Sequence, residues 1–292
     1  MNKRMILYIQ GAILLIESAI MVLPIAAALI YRETSGVWFF YTALAAAICG
    51  FAAMKLSKPR TKTIYAKEGL ITVALGWIVL SLVGALPFTL SGEIPFYLDA
   101  VFEMISGFTT TGSSILPNVE ALSRCMLLWR SFSHWLGGMG ILVFMLAIVK
   151  MEGGQGIHLL RAESPGPTVG KMVPRMVDSS KILYTIYFAL TLVQVVFYLA
   201  GGMPLFDSLC NAFATAGTGG FSIKADSFAS YSMYAQTVTT VFMALFGVNF
   251  SIYFFLLQKK FDLAFKNTEL RWYVGIILFS IAMIPANILP MY

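Results

Sequence analysis

Charge is what this sequence lacks. Asp, Glu, Lys and Arg supply 12% of its 292 residues, about half the share of a soluble domain, and the mean hydropathy is +0.81. That composition excludes a water-soluble globule and points to an integral membrane protein. Cysteine is scarce too. Cys49, Cys125 and Cys210 are scattered, each in or beside an apolar segment, and read as small packing residues rather than a disulfide or metal site. A cleaved leader is not expected: Asn2-Lys3-Arg4 is basic, but the apolar run behind it reaches Tyr31, too long for a signal core. The net charge of +6 could suggest nucleic acid, and its placement argues against that.

What is present is hydrocarbon in long runs. Stretches of membrane-spanning length lie near 6–31, 37–54, 70–90, 126–149, 182–201, 233–257 and 272–290. Two further apolar segments, near 96–106 and 204–216, are too short to cross. Basic residues sort the runs. Lys3 and Arg4 precede the first; Lys55, Lys58, Arg60, Lys62 and Lys67 follow the second. Lys150, Arg161, Lys171, Arg175 and Lys181 follow the fourth, and Lys259, Lys260, Lys266 and Arg271 the sixth. Sixteen of the twenty Lys and Arg thus share one side, which the positive-inside rule makes cytoplasmic, N-terminus included. The pattern closes only if each short segment enters from outside and returns there. Glu33, Glu93, Asp99, Glu103, Glu120, Asp207 and Asp226 then fall outside, a surface that concentrates cations.

Each short segment leads into a polar, glycine-punctuated turn. The first is Gly107-Phe108-Thr109-Thr110-Thr111-Gly112-Ser113-Ser114, and the second runs from Ala214 through Gly217-Thr218-Gly219-Gly220 to Ser222. Asp99 and Asp207 are 108 residues apart, and Gly112 and Gly219 are 107 apart. A unit of membrane helix, short helix, polar turn and membrane helix therefore occurs twice, as in a quasi-symmetric assembly. Each Asp favours the start of its short helix through capping and the dipole. Non-helical backbone at membrane depth persists only where it is buried in protein or lines water. A nearly extended turn whose carbonyls face one axis replaces a cation's hydration shell without a trapping charge. Gly112 and Gly219 supply positive φ and close approach, and the Thr109, Thr110 and Thr111 hydroxyls add oxygen.

These turns, with Trp135-Leu136-Gly137-Gly138-Met139-Gly140-Ile141, Ala162-Glu163-Ser164-Pro165-Gly166-Pro167, Pro174-Arg175, Ile186-Tyr187 and Gly219-Gly220-Phe221-Ser222, resemble the Trk/Ktr/HKT potassium transporters, the TrkH branch above all. The resemblance implies an all-α pore of four helix–pore loop–helix repeats preceded by two extra helices. It implies potassium uptake across the cytoplasmic membrane, usually by dimers controlled by a cytoplasmic nucleotide-binding ring of the TrkA type. On this basis residues 1–67 are the two-helix extension, 68–150 the first repeat, 151–181 a cytoplasmic loop and 182–258 the second repeat. Residues 259–292 are a loop and the first helix of a third, so the chain is expected to be the N-terminal part of a longer protein. About seven transmembrane helices and two re-entrant pore helices are expected. Filter 1 is Thr109, Thr110, Thr111 and Gly112; filter 2 is Gly217, Thr218, Gly219 and Gly220, with Gly217 an added glycine. Asp99, Glu103, Arg130 and His134 are expected to support the filters. K⁺ is cargo at the filter residues, with no cofactor and no catalytic residue, and basic loops face membrane lipid.

Alternatives stay open. Ser133 and His134 with Asp99 would suit an intramembrane hydrolase, although neighbours on a helix point apart. Glu17, inside the first run, would be essential to a proton-coupled carrier; an interhelical packing or hydrogen-bonding role is expected instead. Gly137, Gly138 and Gly140 are expected to allow close helix packing. His158 and the run Gly153-Gly154-Gln155-Gly156 match no phosphate-binding pattern.

Overall fold

A computed structural model describes residues 2–59, 66–140 and 176–288, and all regular structure in these residues is helical. Of the loop expected at 151–181, residues 151–175, with the family-like motifs in them, lie outside the described residues, and 176–181 are helical. The first run forms α1 (Lys3–Ile20) and α2 (Val22–Tyr31), joined at Met21, and α3 (Gly36–Leu56) returns beside them. Small residues let α1 and α3 touch: a side-chain carbon on Gly11 would meet the Gly50 carbonyl at 2.7 Å, and one on Gly50 the Gly11 carbonyl at the same distance. The Ser18 hydroxyl donates to the Ala43 carbonyl across the same seam.

The first unit is α4 (Ala66–Ser91), α5 (Tyr97–Phe108) and α6 (Arg124–Met139). The second is α7 (Met176–Ala200), α8 (Leu205–Ala216) and α9 (Met233–Phe246), which continues as α10 (Phe250–Leu257). Short α11 (Phe261–Phe265) and long α12 (Thr268–Ile288) follow. Trp129 of α6 is fully buried at the centre. Its ring meets Phe39 and Phe108 edge-on, and its indole nitrogen donates to the Gly84 carbonyl at 3.0 Å. Leu29, Ile30, Ile48, Phe51 and Val196 point outward, as a lipid-facing surface requires.

Among the described residues four helices are long and apolar enough to cross a membrane: Lys3–Tyr31, Gly36–Leu56, Lys67–Ser91 and Lys181–Ala200. The expected run 233–257 is not one rod; α9 and α10 meet at 86°. The run 126–149 is described only to Gly140, and 272–290 lies in α12, so the count of seven remains an expectation.

Both short segments turn back. Ser123, at the start of α6, donates through its amide and hydroxyl to Glu93, just past the end of α4. Glu33, from the α2–α3 turn, accepts the Arg124 and Cys125 amides, and Ala225 donates to Glu120. The segments expected to be outer are thus tied together at one end. At the other end the Asn2 amide donates to Glu68.

Candidate functional site

The two turns are copies in backbone as well as in sequence. α5 and α8 each have twelve residues, and every landmark is displaced by 108. Thr110 and Thr218 both have φ 55°, and Gly112 and Gly220 have φ 78° and 79°. The Thr110 amide donates to the Gly107 carbonyl and the Thr218 amide to Thr215, at 3.0 and 2.8 Å. The register therefore pairs Gly112 with Gly220. Pairing it with Gly219 is incorrect, and Gly219 does not carry the positive φ expected of it. A β-branched residue in the left-handed region is an outlier that only its surroundings can hold, and here it occurs twice at one register. With left-handed residues at every second position, neither turn has the nearly extended backbone that was expected.

Asp99 and Asp207 sit in the first turns of α5 and α8 but cap neither. The N-cap residues are Phe96 and Pro204, without a side-chain cap bond, so the capping expected of Asp99 is not made and the dipole contribution remains. Asp207 instead accepts the Tyr231 hydroxyl at 2.9 Å; burial, above all, pushes that phenol's pKa up, so it stays a donor.

The turns lie side by side. A side-chain carbon on Gly112 would collide with the Gly219 carbonyl oxygen, and one on Gly219 would come 2.9 Å from the Thr110 carbonyl oxygen. Thr109, Thr111, Thr218 and Gly220 are exposed there, whereas Gly217 is buried as the C-cap of α8, against the His134 carbonyl. The Thr109 hydroxyl donates to Ile105 and lies 2.8 Å from the Thr111 hydroxyl.

α6 is wedged between α5 and α8 and supplies most of the backing. Glu103 and Arg130, 0% and 2% exposed, form an ion pair at 2.5 Å. Glu103 also accepts the Ser114 hydroxyl and the Ile115 amide, just beyond the first turn. Arg130 donates to the Ser222 carbonyl at 2.8 Å and lies 3.5 Å over the Phe221 ring, just beyond the second. One buried pair therefore joins both exits, a link across units that the sequence does not reveal because the reach of Arg130 depends on how α6 is rotated. His134 supports by contact alone. Neither ring nitrogen has a hydrogen-bond partner; the ring packs on Phe221 at 4.0 Å and fills the space that a side chain on Gly219 would need. Gly137 similarly leaves room for the Phe108 carbonyl and the Thr110 methyl.

The Ser133 hydroxyl donates to the Arg130 carbonyl at 2.7 Å rather than to His134. Glu17 is fully buried and, among the described residues, neither carboxylate oxygen is hydrogen-bonded, so of the packing or hydrogen-bonding role expected of it the bond is absent and packing is left. It packs near Gly84, on the side of α4 that meets Met104 and Phe108. A cavity of about 620 Å³ lies to one side, lined by Tyr31, Glu33, Arg124, Phe206 and Lys224 among others, and includes none of the turn residues.

Comparison with known proteins bears on the family and the overall fold. The family model for TrkH, a cation transport protein, matches residues 38–272. The Trk system potassium uptake protein TrkH of Salmonella typhimurium is 35% identical over 280 residues, 94% of this chain and 58% of that protein. The potassium uptake protein TrkG of Escherichia coli K12 is 31% identical over 95% of this chain and 58% of its own length. The crystal structure of the potassium transporter TrkH from Vibrio parahaemolyticus superposes with a TM-score of 0.84 at 29% identity, covering 99% of this chain and 60% of that one. The chain thus spans about three fifths of the length of these relatives.

Proposed function

The chain belongs to the TrkH family of cation transport proteins, and from that premise we propose that it takes up potassium, with its two turns as adjoining quarters of a carbonyl-lined filter. Thr109, Thr110, Thr111 and Gly112 form one quarter, and Gly217, Thr218, Gly219 and Gly220 the other, with Gly217 closing the helix behind it. The observation that carries the reading is the repeated left-handed threonine. Alternation of backbone handedness segregates N–H groups to one edge and carbonyls to the other, and this alternation occurs at matching positions in two touching turns. Its strain, of order 1–3 kcal/mol per residue, suits a row of oxygens that replaces water around a dehydrated cation.

Glu103, Arg130 and His134 hold the filter from behind, and Asp99 adds charge at the start of its pore helix. The multi-pass chain lies in the cytoplasmic membrane with its N-terminus inside, which the basic loops support. K⁺ passes as cargo, with no covalent chemistry and no cofactor. Relatives are named as parts of Trk systems, so a homodimer under a nucleotide-binding regulatory subunit of the TrkA type is the assembly proposed.

The test is rubidium uptake, with sodium as competitor, in bacteria lacking their own potassium uptake and expressing the product of the complete gene. Gly112→Ser and Gly220→Ser are expected to lower the preference for K⁺ over Na⁺ when compared at matched amounts of folded protein in the membrane. An unaltered ion preference in both variants would remove the filter assignment. Cysteines at Ser113 and Ala225, both exposed, should react with impermeant reagents from outside; labelling from the cytoplasm alone would disprove the sidedness.

A further inference from the structure

In both units a tyrosine of the next long helix stands against a glycine near the end of the helix after the turn: Gly138, inside α6 two residues before its C-cap Gly140, and Gly247, the C-cap of α9. Tyr187 of α7 donates to the Trp135 carbonyl at 2.9 Å, and Tyr273 of α12 donates to the Ala244 carbonyl at 2.9 Å. Trp135 and Ala244 are 109 residues apart, and so are Gly138 and Gly247, each three residues further on. A side-chain carbon on Gly138 would lie 2.5 Å from the Tyr187 hydroxyl, and one on Gly247 would run into the Tyr273 hydroxyl. Two independent pairs of helices thus carry one arrangement: a glycine that admits a phenol, and a phenol bonded one turn back along the ladder.

In the second unit the arrangement coincides with the break. The Val248 amide donates to Leu245, not to Ala244, its partner in a continuing α-helix. The Ala244 carbonyl is left to Tyr273. Tyr253 of α10 donates to Leu245 at 2.6 Å. Asn249 accepts the Ser251 amide and donates to Glu269, in the first turn of α12, at 3.0 Å. Freed backbone in apolar surroundings needs such partners. Yet nothing in residues 233–257 forbids a straight helix, since the stretch contains no proline.

We propose that Tyr187 and Tyr273 are positioning residues that latch the helix after each turn, and that Gly247–Asn249 is a hinge kept bent by α12. Withdrawal of α12 from Gly247 removes the Tyr273 and Glu269 bonds together, and the ladder from Ala244 onward can close. Straightening would redirect the inner course of the ion route; that consequence rests on the function proposed above, whereas the hinge does not.

Spin labels on Val241→Cys and Leu257→Cys, both exposed to the surroundings, report the angle as a distance in lipid nanodiscs, with Cys49→Ala as background. The otherwise unaltered chain should give one short distribution. Tyr273→Phe removes one hydrogen bond and is expected to raise the population at a second, longer distance about fivefold. Gly247→Ala, which displaces the same hydroxyl, should populate the same distance. Retention of the single short distribution in both variants overturns the hinge. Where Tyr273→Phe loses its monodisperse elution, Gly247→Ala decides alone; if neither folds, the latch is a folding element and the hinge is overturned as well. No ion movement enters the measurement, so failure of the filter assignment and failure of the hinge are read separately.

Discussion

The first turn places left-handed residues at 110 and 112 and the second at 218 and 220, yet what stands behind the two differs at nearly every equivalent position. Glu103 on the first short helix holds Ser114, Ile115 and Arg130. At the matching place on the second, Asn211 is just as buried, but its amide nitrogen reaches the Met203 sulfur and, among the described residues, its carbonyl oxygen accepts no hydrogen bond. Ser113 is exposed, whereas its counterpart Phe221 is buried beneath Arg130 and His134. The first turn is therefore anchored by its own pore helix, and the second borrows its anchor from the first unit. A shared backbone does not require shared support, and the asymmetry predicts where each unit is fragile.

The largest effect should come from the pair that serves both. Arg130→Met leaves Glu103 buried without its counter-charge and is expected to destabilise the chain by about 3–5 kcal/mol. Arg130→Met with Glu103→Leu should recover most of that, because removing both ions removes the desolvation penalty too. Thermal unfolding in detergent measures both variants. If the double variant were no better than the single one, the pair would not be the common anchor.

Next is a contrast between two glycines with the same φ. Gly112→Ala meets the Gly219 carbonyl, while Gly220→Ala meets nothing nearer than the Met243 methyl at 3.7 Å. Both incur the left-handed penalty of about 1–2 kcal/mol, and Gly112→Ala adds about 1–3 kcal/mol of overpacking. The same melting experiment should rank Gly112→Ala clearly below Gly220→Ala. Equal losses would mean that the turns do not touch.

Much of this was legible in the sequence, and the exceptions have physical causes. Runs of apolar residues mark the helices, and the charge pattern requires both short segments to return to the side they came from. The Asp99–Asp207 spacing of 108 already carries the true register. The pairing of Gly112 with Gly219 fails because Gly219-Gly220 offers two registers, and only the backbone angles separate them. Left-handed Thr110 and Thr218 could not be foreseen, since β-branched residues are the last expected there. The reach of Arg130 to Ser222 depends on how α6 is rotated, which no local pattern encodes. The break at Gly247 lies in a stretch without proline, and the tyrosine bonded there, Tyr273, comes from another helix.

Behind the first turn alone lies the α1–α3 hairpin, and with it Glu17, fully buried and unpartnered beside Gly84. A buried carboxyl without hydrogen bonds costs about 1–3 kcal/mol relative to a packed apolar group. Glu17→Leu is therefore expected to raise the stability of the chain by about that amount, with ion preference unchanged. A loss of rubidium uptake in a well-folded Glu17→Leu protein would instead give this carboxyl a part in transport, and the two units would then differ in function as well as in support.

The smallest effect tests the strain itself. Thr218 is exposed at φ 55°. Replacing it with Gly relieves about 1–2 kcal/mol of left-handed penalty and gives back about 0.4–1 kcal/mol through the more flexible unfolded chain. A net gain of about 0.5–1 kcal/mol is expected. Thr110→Gly should gain less, because the Thr110 methyl packs against Gly137. If the threonines hold carbonyls in place for a cation, both variants should be as stable as the parent or more so and yet discriminate less between K⁺ and Na⁺. Stability and selectivity moving in opposite directions at these two positions would separate strain kept for a purpose from strain merely tolerated.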